Sequence, residues 1–258
     1  MADVCKLTQR SGRFVKSHLL PRALTRAGRT KGEMLIEMGP EIPVPFNRAD
    51  SWYDRRLVTA EGEKILERHD TAGIEELRRS GLVWSSQQHD RIIIENPDET
   101  GLGVSRVISR HPKRLRLFIL SLLWRAAATD FADFCYVRLQ ANDLEYLRCL
   151  VFNGEVGEAS EFPIFFLSLI APGKPHNHTP IRQRYGEGAS AIELFRFYFD
   201  GLIAFVGDRM APREFVRELR PYFVGFDKEF LIMARPFEGS RQDRDLVDMM
   251  IKAHGARG

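Results

Sequence analysis

Cysteine is scarce in this 258-residue chain: Cys5, Cys135 and Cys149 are the whole complement. Three thiols so widely spaced cannot build a disulfide framework, and their small number suits a reducing, cytoplasmic setting. No apolar signal segment opens the sequence, so export is not expected. Long hydrophobic runs are missing too. The most apolar one, Leu117 to Trp124, is bracketed by Arg116 and Arg125. It is far shorter than the roughly 20 residues that cross a bilayer, which argues against a membrane partner and for a buried soluble helix. Internal repeats and low-complexity segments are also lacking, which excludes a solenoid.

Acid is scarce in two places. Residues 1 to 31 hold Asp3 alone against Lys6, Arg10, Arg13, Lys16, Arg22, Arg26, Arg29 and Lys31. A second stretch, Arg106, Arg110, Lys113, Arg114 and Arg116, has no acid at all. The formal net charge of only +3 conceals both. Either stretch can meet a polyanion such as DNA, or can be no more than a solvated basic face. With 44% hydrophobic residues the chain can bury a large core, as one large domain or two small ones.

In chain order, Phe14 and Val15 favour a short strand that presents His18 and is ended by Pro21. Met34 to Met38 is a second strand candidate, after which Pro40, Pro43 and Pro45 prevent a helix. Ser51 to Val58 is a third strand, followed by a helix capped by Thr59, with Glu61 and Glu63 in its first turn and an interruption near Gly73. Weak strands are expected over Asp90 to Glu95 and Val104 to Ile108. Pro112 opens an apolar helix to about Ala128, and Asn142 with Glu145 suggests a capping box for a helix stopped by Gly154. Beyond it, Phe162 to Ile170 and Ala191 to Val206 are aromatic and β-branched, with Asp200-Gly201 as a hairpin turn. Lys228 to Arg235 reads as a strand, and Pro212 to Tyr222 and Arg241 to Ala253 as helices. The fold class is α+β: residues 1–84 form a ββα module, and residues 85–258 a helical core plus an α+β region.

His18 is the residue around which chemistry can be argued, although a histidine in this setting also serves as a hydrogen-bonded, partly buried side chain. Hydrolysis of a phosphodiester needs a base to take a proton from water and a divalent cation to neutralise the phosphate. Cys5-Lys6-Leu7-Thr8, Ser17-His18-Leu19-Leu20-Pro21, Tyr53-Asp54-Arg55-Arg56-Leu57-Val58 and Thr59-Ala60-Glu61-Gly62-Glu63, closed by His69-Asp70, lie in that order over residues 5 to 70. This stretch resembles the HNH, or ββα-metal, nuclease motif in its treble-clef form. The likeness is strongest to bacterial and phage proteins that carry Cys-x-x-Cys, Ser-His-Ile-Ile-Pro and Tyr-Asp-x-Asn-Ile-Leu-Cys.

The resemblance implies His18 as general base and Asp54 as its catalytic neighbour, with Glu63 and Asp70 as metal ligands, His69 a weaker choice and Glu67 on the same face. It implies Mg²⁺ or Mn²⁺ as cofactor, DNA as substrate and a phage, mobile-element or defence setting. Arg13, Lys16, Arg22, Arg26, Arg55, Arg56 and Arg114 are the candidate nucleic-acid contacts. The chain departs from the family at Thr8, Thr59 and Gly62, where cysteines would bind structural zinc, so no such zinc is expected. Arg56 replaces the asparagine that orients the histidine. Asp54 has an alternative use as a turn or salt-bridge residue. Two functions follow: a nucleic-acid-binding protein with metal-dependent endonuclease activity, or a non-catalytic scaffold that keeps only the fold and binds a protein partner. His176-Asn177-His178 lies in a Pro- and Gly-rich stretch read as a loop, where metal binding is not expected. Phe195, Phe197, Tyr198 and Phe199 suit either base stacking or a core.

Overall fold

A computed structural model describes residues 4–25, 35–42, 46–48, 51–86, 92–185 and 191–255. The aromatic run closes into a hairpin: β8 (Ile192–Phe199) and β9 (Leu202–Gly207) pair antiparallel with Phe199 opposite Leu202. Asp200 (φ 49°) and Gly201 (φ 79°) both occupy the left-handed region, as a two-residue type I′ turn requires. Around the hairpin assemble β6 (Ile164–Ile170), antiparallel to β9, and β7 (Asn177–Tyr185), antiparallel to β8. One side is extended by β10 (Glu229–Pro236), parallel to β6, and then by β5 (Gly103–Ile108). The other side is extended by β2 (Leu35–Met38), parallel to β7, and by β3 (Phe46–Arg48). Among the described residues the mixed sheet has eight strands in the order β3-β2-β7-β8-β9-β6-β10-β5.

Both faces of this sheet are covered, which is why β8 is apolar in both directions. Phe195, Phe197 and Phe199 enter one core with α2 (Ala60–Arg79), α3 (Pro112–Ala128) and α4 (Ala141–Asn153). Leu194 and Tyr198 enter a second core with α5 (Arg213–Leu219) and α6 (Arg241–Gly255). Of the two uses open to the aromatic run, Phe195, Phe197 and Phe199 take the packed one.

The α+β class holds, and α3 spans the residues its periodicity indicates. Three local expectations are corrected. α2 runs unbroken through Gly73, whose missing side chain lets α3 approach: a Cβ there would lie 2.3 Å from the Phe118 Cβ. α4 begins at Ala141, and its N-cap residue Gln140 makes no side-chain cap bond. Glu145 instead pairs with Arg148 at 2.7 Å. The stretch read as a loop at His176-Asn177-His178 leads into β7, whose pairing with β8 is irregular between His178 and Ile181, around Pro180. Proline donates no ladder hydrogen bond and is tolerated in a sheet at such irregularities.

The strand expected over Asp90 to Glu95 lies partly outside the described residues, and its end survives as a bridge between Glu95 and Val104. The 84/85 division passes through one continuous hydrophobic core that runs from Cys5 and Trp52 through Leu120 to Ile232. No helix among the described residues is long and apolar enough to cross a membrane.

Candidate functional site

The amino-terminal part folds as a narrow ribbon packed on α2. β1 (Ser17–His18) pairs antiparallel with β4 (Tyr53–Asp54), placing His18 opposite Tyr53. Backbone bonds prolong the ribbon in both directions, with Leu19 N–H donating to Trp52 O (2.9 Å), Val15 N–H to Val58 O (3.3 Å) and Ala60 N–H to Arg13 O (2.9 Å). α1 (Arg22–Thr25) follows β1, and α2 starts where the second ribbon segment ends.

The four positions that the resemblance sets at zinc ligands, Cys5, Thr8, Thr59 and Gly62, converge. The buried Cys5 Sγ accepts from the backbone N–H of Thr8 and of Thr59, both at 3.4 Å, and a Cβ on Gly62 would lie 2.9 Å from it. Burial pushes the Cys5 thiol up, but the bonds from Thr8 and Thr59 outweigh it and hold the thiol below its ordinary value. One thiol and two threonines thus meet here by packing and hydrogen bonding.

His18 is half-buried, its ring edge-on to Tyr53 with centroids 6.2 Å apart. Lys16 Nζ lies 4.1 Å from the Tyr53 ring centroid and the Arg55 guanidinium 5.6 Å. An aromatic ring with two cations over it and an imidazole at its edge therefore stands at the surface, among the exposed Arg13, Arg22, Arg55 and Arg56. Arg26 lies outside the described residues. Arg114, although exposed, sits in the first turn of α3, whose start is bound to the carboxyl-terminal end of α2 through Glu76. A 20-residue helix spans about 30 Å, so Arg114 is roughly one α2 length from the ribbon.

The acids expected around His18 have different fates. Glu63, on the first turn of α2, is close enough to Ser17, Arg125, Asp70 and His18 to feel each of them. Burial pushes its carboxyl above the ordinary range, and the Ser17 hydroxyl, Arg125 and His18 draw it back only in part. Asp70 shares that neighbourhood but is held by Arg125. One Arg125 nitrogen donates to Asp70 Oδ2 at 3.1 Å and to the His18 carbonyl at 3.0 Å, while the other pairs with Asp70 Oδ1. Asp54 is buried and committed, accepting the Arg56 N–H at 2.7 Å and the Thr129 hydroxyl at 2.8 Å. His69 sits 2.9 Å from the Val151 carbonyl, and burial lowers its pKa. Among the described residues no group of three or more His, Cys, Asp or Glu gathers in a way that could hold a metal ion.

Comparison with protein-family models, with curated proteins and with solved structures finds no match.

Glu63 thus lies within electrostatic reach of His18, Asp70 shares that neighbourhood in an ion pair with Arg125, and Asp54, His69 and Arg114 are engaged elsewhere or distant. Sequence reasoning missed Arg125, the residue that ties α3 to both β1 and α2. A signal was present: the side chain of an arginine inside an apolar helix, here 1% exposed, requires an internal partner.

Proposed function

We propose that this chain binds nucleic acid through the ribbon face centred on His18 and Tyr53. The observation that carries the reading is the Lys16–Tyr53–Arg55 stack beside a half-buried imidazole, ringed by exposed arginines and free of exposed acids along β1 and β4. Cations neutralise phosphates and an aromatic ring offers a stacking surface to a base. The converging Cys5, Thr8, Thr59 and Gly62 support the reading of this unit as an HNH-like module that has lost its zinc.

Endonuclease chemistry is the extension of this proposal. His18 would take the proton from water, and Glu63 is the acid beside it that no described ion pair holds. A single carboxylate suits a Mg²⁺ or Mn²⁺ ion that keeps most of its water and takes further ligands from the substrate phosphate. The second reading, a scaffold that retains only the fold, is favoured by the commitment of Asp70 to Arg125 and of Asp54 to Thr129.

Gel-shift titration of plasmid and single-stranded DNA over a range of salt tests the binding. The expected result is an affinity that falls steeply with salt. Absent or salt-insensitive binding would sink the proposal. Incubation with Mg²⁺ or Mn²⁺, wild type against His18→Ala, separates the two readings: cleavage abolished by the substitution supports the nuclease, while cleavage that survives it unchanged removes His18 from the chemistry.

A further inference from the structure

A cleft opens at the turn of the β8–β9 hairpin, where α1 and the segment after α2 meet the β6–β7 connection. Its walls include three aromatic rings, those of Trp84, His176 and Tyr198. Trp84 is fixed on one side: its ring N–H donates to the Leu169 carbonyl, its edge meets Phe237 at 5.6 Å, and it lies so close to Gly201 that a Cβ there would sit 2.2 Å from its nitrogen. Tyr198 and His176 line the cleft as a parallel pair, with centroids 4.6 Å apart and planes 10° from each other.

Two polar groups in the lining are incompletely used. Asp200 Oδ2 accepts the backbone N–H of Ser85 at 3.2 Å and the Ser85 hydroxyl, while Oδ1 accepts nothing among the described residues. Burial pushes this carboxyl up to about 6. Asn177 is 3% exposed, and its amide nitrogen has no partner among the described residues. A buried donor left unpaired costs about 1–3 kcal/mol, so a ligand that supplies an acceptor there gains what no described residue provides.

We propose that this cleft binds a planar nitrogen heterocycle of nucleobase size, its ring against the aromatic walls, an N–H donating to Asp200 Oδ1 and a ring or carbonyl acceptor taking the Asn177 N–H. An organic cation would satisfy the carboxylate and the aromatic walls but has no acceptor for Asn177. A purely apolar ligand would leave both polar groups unsatisfied. Nucleobases carry a donor and an acceptor on one edge, one for each of these two groups. The base can arrive as a free nucleoside or as a residue turned out of a strand, since the recognition is the same. The inference does not rest on the proposed function of the ribbon face.

Isothermal titration of the full chain with adenosine, guanosine, cytidine and uridine separately, and with tetramethylammonium as the cation control, decides it. The expected result is saturable binding of at least one nucleoside, weakened roughly tenfold in Asp200→Asn, which keeps a side chain that tolerates the left-handed turn but turns one acceptor into a donor. Oligothymidylate with and without one central copy of the preferred base then separates a free effector from an extruded base. No saturable binding of any nucleoside by the wild type would overturn the proposal without recourse to a variant. So would tetramethylammonium binding in preference to all four, or an Asp200→Asn protein, folded by circular dichroism, with unchanged affinity.

Discussion

His18 and the pair His176/His178 occupy two contrasting neighbourhoods. His18 stands half-buried at the end of a two-residue strand, with cations and an aromatic ring beside it and a carboxylate on the adjoining helix. His176 and His178 are buried against α6. His176 stacks on Tyr198 and lies 2.8 Å from the Gln242 amide nitrogen, and Gln242 also accepts from the buried Arg196. His178 is held 2.6 Å from the Thr179 carbonyl, and burial together with the nearby Arg196 charge lowers its pKa to about 3. The letters His-Asn-His at 176–178 therefore spell two packed imidazoles on either side of an asparagine that lines the cleft. The lesson is that an imidazole's use is set by its access to solvent and by which charges face it.

The largest expected effect sharpens the His18 side. Arg125→Ala removes the donor shared by Asp70 and the His18 carbonyl from a fully buried position. Breaking a buried pair in this way costs about 3–5 kcal/mol. Urea denaturation should show an unfolding free energy lower by that amount, and a loss below about 1 kcal/mol would mean that Arg125 does not hold the ribbon to α3. Next comes the other side: Gln242→Ala strips a partner from both Arg196 and His176. A loss of about 1–3 kcal/mol is expected from the groups left unpaired, with little change in DNA affinity. A DNA-binding defect at preserved stability would reverse the assignment of the two neighbourhoods.

Acid sharpens the comparison further. Unfolded, His178 takes up a proton near pH 6.5; folded, it stays neutral down to about 3. Its folded pKa is depressed, so the unfolded state binds more protons across that window and stability falls as pH drops through it. One proton corresponds to about 1.4 kcal/mol per pH unit at most. In His178→Gln, unfolding free energies measured between pH 6 and 4 should fall less steeply than in the wild type, and equal slopes would show that His178 is not sealed. The smallest effect is at the surface. Lys16→Ala with Arg55→Ala should cost about 1 kcal/mol or less, because Arg55 is exposed and Lys16, only partly buried, gives up one cation–π contact with Tyr53. If both meet phosphates, the dependence of DNA affinity on log salt should flatten by about two units, while Arg114→Ala leaves it unchanged. A matching effect from Arg114 would place the DNA elsewhere.

Legibility followed range in the chain. The Asp200-Gly201 hairpin, the apolar helix from Pro112, the Gly154 stop and α6 were readable because turn chemistry and periodicity act within a few residues. β7 was missed because Pro180 and the histidines mask a strand that only its pairing with β8 makes regular. At the candidate site, His18 and Glu63 could be placed from the strand, strand, helix order. That Asp70 is taken by Arg125 and Asp54 by Thr129 could not, since those contacts join residues 55 and 75 positions apart.

By itself the sequence determined which segments are helical, where the hairpin turns, and that basic residues crowd the amino-terminal segment, because propensity, capping and composition need no partner. Only the tertiary structure decided the strand order, the burial of His176 and His178, and which acids near His18 stay available. Those outcomes depend on which distant groups desolvate or neutralise one another, and that is fixed when the layers pack.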